Sequence, residues 1–594
     1  MLEKYFSKSR GGNFYLPGQE IKIGKSSAFN ILSCEKDSLS TCKARMLLAM
    51  FCFAAIYFVI AIRLFSVCIT GNTSEINGSS DNPLLQAYVP NPIKRADVLD
   101  RNGIIIATSL PTVNLFANPK KIINPKRAAV ELSKILPELR YEDLYAKLRR
   151  KGSFIYLKRN LTPTQQYQIN ALGIPGLEFE NGEKRIYPHQ NLFAHILGNT
   201  NIDNVGISGL EKKLNNRLTE SDVPLQMSVD MGIQDTIRQQ LQEAIKKFNA
   251  EGATAILMDV KTAEIISMIS LPDFDPNDTA TLTEKNMFNM ATKGVYEPGS
   301  VLKVFNTAMS LDSGKVKVSD SFDATQPLKL KYNVIKDYRG ENRWLSVPEV
   351  LIYSSNIGSA RMAFAAGKEE QIAFMKKIGF FEEVPIEVPE TGLPLVPRRW
   401  GEGTVATVAF GYGLAVSPLH VITAFSAMIN GGVYHKPTLL KQGPREGKRV
   451  ISEKTSKSMR ELLRLVVVEG SGKRANVKGY EVAGKTGTAN KLSAAGKYVD
   501  KKVRTTFVAA FPISDPKYAL LVMMDEPKAT KETWGFVTSG WNTVPTAGKI
   551  IEAIAPQLNI KANYDLDELR KARIIEASYG KKALKLYQMN NRHP

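Results

Sequence analysis

The chain has 594 residues, 43% hydrophobic and 23% charged, with a formal charge of +21. This is ordinary globular composition, longer than one hydrophobic core usually supports, so a wholly disordered chain is excluded and two or more domains are expected. No nucleic-acid module accompanies the positive charge, which points to anionic surfaces such as cell-wall polymers or lipid head groups and away from DNA or RNA.

The first predicted element is the charge-free run Met46 to Ile62; with Leu64, Phe65, Val67 and Ile69 beyond Arg63 it reaches the roughly 20 residues that span a bilayer. Residues 1–45 hold eight Lys/Arg and Leu64 to Ile93 holds none, so the tail is expected in the cytoplasm and the rest of the chain outside, in the periplasm. The run exceeds a signal-peptide core and no small-x-small cleavage site follows it, so residues 46–68 are expected to be an uncleaved anchor. All four cysteines, Cys34, Cys42, Cys52 and Cys68, fall in the tail or anchor, which leaves no disulfide framework for the body.

From Gly71 to Pro92 the chain is rich in Asn, Ser, Gly and Pro, the composition of a linker. Asn102-Gly103 between two apolar runs predicts a hairpin, and amphipathic stretches follow near Ala128 to Leu148. Residues 69–225 therefore read as linker plus a mixed α/β pedestal without clustered nucleophiles, bases or metal ligands. Gly232 to Phe248 has helical periodicity, and Ala253 to Val260 and Glu264 to Ser270 read as two strands. Thr506 to Phe511 and Tyr518 to Met524 are two more, around a Ser-Asp-Pro turn. A catalytic domain is expected over 226–558, with helices on an antiparallel sheet drawn from both its ends, then a basic helix-prone tail over 559–594.

Three motifs stand in order inside that domain: Ser300-Val-Leu-Lys303, Ser354-Ser355-Asn356 and Lys485-Thr486-Gly487-Thr488. The Ser-x-x-Lys pattern alone carries little, since it recurs at Ser33, Ser40, Ser514 and Ser578; the ordered set of three points to a serine acyltransferase that handles penicillin-like substrates. Pro298 and Gly299 punctuate a turn before an apolar helix, which places Ser300 at a helix N-terminus and Lys303 one turn on, on the same face. A desolvated lysine beside other cations loses enough basicity to take the serine proton. Ser354 and Asn356 are expected on a loop, as proton relay and substrate-amide contact. Lys485, Thr486 and Thr488 are expected to receive a substrate carboxylate, with Gly487 allowing close approach and the Thr488 and Ser300 N–H groups forming an oxyanion hole. None of the five histidines forms a metal-binding pattern, and no cofactor or metal is expected.

At these motifs the chain resembles the class B penicillin-binding proteins. The likeness extends to Arg101-Asn102-Gly103 within Arg95 to Ala107, to Arg185-Ile-Tyr187-Pro188 through His195-Ile-Leu-Gly198, to Gly206 through Glu211, and to Gly411-Tyr412-Gly413 ahead of Ser417-Pro418-Leu419. The resemblance implies an α+β penicillin-binding transpeptidase fold, serine β-lactamase-like, preceded by the pedestal and a single N-terminal transmembrane helix. It implies peptidoglycan D,D-transpeptidation: Ser300 as nucleophile, Lys303 as base, Ser354 and Asn356 as relay and substrate contact, and Lys485, Thr486, Gly487 and Thr488 as substrate-binding strand. Implied partners are peptidoglycan stem peptides, β-lactam antibiotics, a membrane glycan polymerase and division proteins. The Ala96 to Gly103 segment and the modest pedestal look more like the septal enzyme of the class than its elongation counterpart. A side-wall elongation enzyme and a non-catalytic penicillin sensor or scaffold are the alternatives.

Overall fold

The structure, a computed structural model, describes residues 38–70, 95–492 and 498–564. The tail up to residue 37, the expected linker of residues 71–92 and the chain from residue 565 lie outside the described residues. Contacts divide the chain into two units, Met1–Asn91 and Pro92–Pro594.

In the first unit, helix α1 (Ser38–Thr70) begins ahead of the expected Met46. Lys43, Ala44 and Arg45, just before Met46, are good helix formers, and an apolar run does not count the two charged ones. Over 46–62 the side chains of α1 are exposed on every face, among them Phe51, Tyr57 and Phe58. That stretch is about 26 Å of helix, against a hydrocarbon core of about 30 Å. Among the described residues no helix is long and apolar enough to cross a membrane.

The second unit opens with the expected hairpin, β1 (Val98–Leu99) and β2 (Ile105–Ala117). Asp100 closes its turn: Oδ1 accepts the N–H groups of Asn102 (2.8 Å) and Ile104 (2.9 Å). The other carboxylate oxygen accepts the Met231 N–H at 3.1 Å, tying the hairpin to the helix that opens the catalytic fold. Helices α2 (Pro125–Ile135) and α3 (Tyr141–Leu148) occupy the amphipathic stretch. They pack on β2, β3 (Ile155–Leu161) and β4 (Leu177–Ile186) through a separate small core that includes Leu115, Leu132, Leu144 and Leu157. β5 (Leu225–Gln226) runs parallel to β1.

Inside the pedestal one carboxylate holds two guanidinium groups. Glu211, fully buried, takes Arg95 Nε on Oε2 and Arg185 Nε on Oε1, both at 2.7 Å. Arg95 also reaches the Glu211 carbonyl and the Asn215 side chain, and Arg185 Nη1 the Ala96 carbonyl, whereas Arg185 Nη2 is buried without a hydrogen-bond partner among the described residues.

Across the expected boundary at residue 225 the apolar core is continuous: Ala96, Val98, Tyr187 and Leu210 belong to the same cluster as Phe305 and Met309. Helix α4 (Met231–Phe248) buries Ile233, Ile237, Leu241, Ala244 and Phe248, one stripe at spacings of three and four. Asp230 caps its start by accepting the Ile233 N–H, and Asn249 ends it in the left-handed region. The main sheet then runs β8 (Ala483–Leu492), β9 (Tyr498–Phe511), β10 (Tyr518–Asp525), β6 (Gly252–Asp259), β7 (Ile265–Leu271), antiparallel throughout. Period-two alternation divides its side chains between two cores. Leu257, Leu520, Val522, Phe507 and Phe511 face α4 and α8 (Thr543–Ile554), whereas Ile256, Leu521, Val508 and Ala510 face the helices that carry the reactive residues. Apolar runs on both faces explain why these strands read so plainly. β9 is longer than expected because its first half, with Asp500, Lys501 and Lys502, has the composition of a loop, although Tyr498 and Val503 pair with Leu492 and Asn490 of β8.

Candidate active site

Ser300 lies in a 3-10 turn, Gly299–Val301, that feeds directly into helix α5 (Leu302–Asp312), and Lys303 follows in the first turn of that helix. Lys303 is completely buried. Its Nζ stands 2.8 Å from Ser300 Oγ, 2.7 Å from the Ser354 carbonyl, 2.8 Å from Asn356 Oδ1 and 3.2 Å from Ser354 Oγ. The carbonyl and the amide oxygen can only accept. A neutral amine has two N–H bonds and one lone pair, so once those two acceptors are served the lone pair is left for the Ser300 hydroxyl. Burial first, and the charge of Lys485 second, push the Lys303 ammonium well below its ordinary range; Asp337 opposes them. Burial thus favours the neutral amine, and in that form the contacts set its lone pair on Ser300.

The second motif arrives from the junction of α6 (Val347–Ile352) and α7 (Asn356–Ala366). It is tighter than the expected loop, because Ser355 caps α7 by accepting the Gly358 N–H at 2.9 Å and Asn356 is already the first helical residue. Ser354 is held at φ +57°, a conformation costly for a residue with a Cβ. That bend turns its hydroxyl between Lys303 and Lys485, whose Nζ donates to it at 2.9 Å. The Asn356 amide oxygen serves Lys303 and one Nδ2 hydrogen goes to the Lys336 carbonyl at 2.9 Å, which leaves the second Nδ2 hydrogen for a substrate.

The third motif lies on β8, the edge strand of the sheet, whose far side presents backbone N–H and C=O groups to an incoming extended chain. Lys485 is fully buried, and its Nζ donates to Ser354 Oγ and the Thr486 carbonyl (3.2 Å). Burial pulls its ammonium down to about 7. Thr486 Oγ1 bonds Ser471 Oγ at 2.7 Å, and Thr488 Oγ1 accepts the Ser539 N–H at 3.1 Å.

Backbone segments meet around the nucleophile without room for side chains. A Cβ on Gly299 (φ +58°) would stand 2.8–3.2 Å from the Thr488 backbone, and one on Gly411 (φ +109°) would stand 1.8 Å from the Gly299 carbonyl oxygen. The Gly299 N–H donates to the Gly411 carbonyl at 3.2 Å, and Tyr296 and Val416 exchange two backbone bonds just behind. Gly411→Ala is therefore expected to displace Ser300 and slow its acylation on the order of a hundredfold, read as the rate of covalent labelling by a fluorescent penicillin.

The structure thus gathers Ser300, Lys303, Ser354, Asn356 and Lys485 into one hydrogen-bonded cluster and sets Thr486, Gly487 and Thr488 along its rim. Sequence reasoning missed Asp337, which accepts the Ser355 hydroxyl at 2.7 Å, the Asn356 N–H at 2.5 Å and the Ile357 N–H at 3.0 Å. It missed Ser471 and Ser539 as well. None belongs to a motif; the one available signal was that the helix starting at Asn356 needed an acidic partner for its free N–H groups.

A buried lysine primed against a serine at a helix start, beside an open sheet edge, defines a serine acyltransferase of the penicillin-recognising type. Family models agree: residues 253–539 match the penicillin binding protein transpeptidase domain, and residues 90–247 the penicillin-binding protein dimerisation domain. The chain is 35% identical to the Caulobacter vibrioides protein named "Probable peptidoglycan D,D-transpeptidase FtsI", over 80% of this chain and 82% of that one. It is 29% identical to the peptidoglycan D,D-transpeptidase FtsI of Escherichia coli K12 (79% and 84%) and 30% identical to stage V sporulation protein D of Bacillus subtilis (80% of each). Penicillin binding protein 3 of Mycobacterium tuberculosis, solved in complex with aztreonam, has the same fold, with a TM-score of 0.64 at 21% identity over 80% of this chain and 98% of that one. The chain belongs to the class B penicillin-binding proteins.

Proposed function

We propose that the protein is a peptidoglycan D,D-transpeptidase of the septum, cross-linking stem peptides through an acyl-enzyme on Ser300. The observation that carries the chemistry is the Nζ of a fully buried Lys303 set 2.8 Å from Ser300 Oγ. In this reading Ser300 Oγ attacks the carbonyl of the penultimate D-alanine as its proton passes to Lys303. The bond to the terminal D-alanine breaks, and that amine leaves with a proton returned from Lys303 through Ser354. An amine of a neighbouring stem then attacks the ester and gives up a proton to Lys303; the bond to Ser300 Oγ breaks, and Lys303 passes that proton to the departing oxygen, which restores both residues. The Ser300 and Thr488 N–H groups would receive the oxyanion, and Thr486, Thr488 and the field of Lys485 the donor carboxylate. A β-lactam would enter by the same attack, its ring opening while the leaving amine stays tethered and the ester persists.

α1 is read as the anchor in the inner membrane, with the basic tail of residues 1–45 in the cytoplasm and the catalytic unit in the periplasm. Supporting this are the all-round apolar exposure of 46–62 and the apolar residues that continue to Ile69 in sequence. A membrane glycan polymerase would supply the strands to be cross-linked, with division proteins as further partners. The septal assignment draws on the two relatives named FtsI. Depletion of the protein in its own host is expected to give long unseptated filaments; rounded, widened cells would assign it to side-wall elongation instead.

A further inference from the structure

Asp337 lies outside the three motifs, in the stretch before α6, yet it contacts two residues of the second motif and Ile357 just after it. Its Oδ1 accepts two backbone N–H groups at the start of α7, those of Asn356 and Ile357, while Oδ2 accepts the Ser355 hydroxyl. The residue before it, Lys336, gives its carbonyl to Asn356 Nδ2. Asn356 is therefore gripped at its backbone N–H by Asp337 and at its side-chain nitrogen by Lys336, which leaves its amide oxygen one direction to face, toward Lys303 Nζ. The grip on Ser355 and Asn356 also bounds Ser354 on its C-terminal side, the residue held at φ +57° between the two lysines.

We propose that Asp337 is a positioning residue of the transpeptidase site: its carboxylate orients Ser355 and Asn356, and through Asn356 and Ser354 holds Lys303 with its lone pair on Ser300. The inference rests on the acyl-enzyme reading above and adds a role outside the three motifs. The ordinary alternative is a carboxylate that only caps α7. The two differ in readout: a cap alone would cost melting temperature without slowing the labelling of Ser300, whereas a positioning carboxylate slows labelling in a variant that is still folded. The charged groups facing Lys303 are Lys485 from β8 and Asp337 from its loop; its other neighbours, Ser300, Ser354 and Asn356, are neutral. Asp337 is the side that favours the ammonium form of Lys303, against burial and Lys485.

Asp337→Asn keeps the shape and an oxygen to accept the α7 N–H groups but removes the charge, whereas Asp337→Ala removes both. Lys303 must be neutral to accept the Ser300 proton, so acylation rises as pH climbs through its titration. Without the Asp337 charge Lys303 loses its proton at lower pH, and the acid limb of the profile moves down. The experiment is the second-order rate of labelling by fluorescent penicillin across pH, on full-length wild type and both variants, with thermal melting as the folding control. The expected result is an acid limb displaced to lower pH in Asp337→Asn, and a loss on the order of a hundredfold at the wild-type optimum in Asp337→Ala. An Asp337→Asn profile superimposed on that of wild type, or a folded Asp337→Ala that labels at the wild-type rate, would overturn the proposal. Should Asp337→Ala fail to fold, the Asp337→Asn profile decides alone. A folded wild type that never labels would instead overturn the acyl-enzyme reading.

Discussion

Lys303→Ala is expected to slow acylation of Ser300 by about three orders of magnitude, the range of a lost general base. The reason is the geometry of its amine: two acceptors that cannot donate, Ser354 O and Asn356 Oδ1, consume its N–H bonds and aim the remaining lone pair at the nucleophile. No other described group within hydrogen-bond distance of Ser300 Oγ takes that place, and Lys485 is directed at Ser354. Lys303→Arg should be nearly as slow, since a guanidinium remains charged at any working pH. Stopped-flow or gel-based labelling with a fluorescent penicillin measures the rate, and an unchanged melting temperature would separate lost chemistry from lost fold.

Glu211→Ala is expected to cost about 3–5 kcal/mol of unfolding free energy, the penalty for stripping the counter-ion from buried charge. Arg95 and Arg185 are as buried as the carboxylate between them, and both lose their short Nε contact in the variant. Glu211→Gln should recover only part of the loss, because an amide oxygen still accepts hydrogen bonds but neutralises neither guanidinium. Since the core is continuous from Ala96 and Leu210 to Phe305 and Met309, the damage should lower the melting transition of the catalytic unit along with the pedestal, followed by circular dichroism or calorimetry.

The sequence was most informative where one local pattern decides the outcome. Strands of the main sheet are apolar on both faces and α4 is apolar on one stripe, so periodicity exposes them; Asn102-Gly103 specifies its own turn. Ser300 and Lys303 share a face because three residues make nearly one helical turn. What stayed hidden depends on contacts between distant segments. Asp337 and Asn356 meet only when a loop folds back on α7, and nothing in the spelling of Lys336-Asp337-Tyr338 announces it. The inward turn of Lys485 toward Ser354 spans residues 131 positions apart. The glycines at 299 and 411 read as punctuation, and their purpose, backbone against backbone beside the nucleophile, emerges only in three dimensions.

The decisive measurement is the intact mass of the full-length protein after exposure to benzylpenicillin, followed by peptide mapping of any adduct. One penicilloyl group per chain, on the peptide containing Ser300 and absent from Ser300→Ala, is the expected result. A folded wild type that gains no adduct, or gains it equally in Ser300→Ala, would contradict an acyl-enzyme on Ser300.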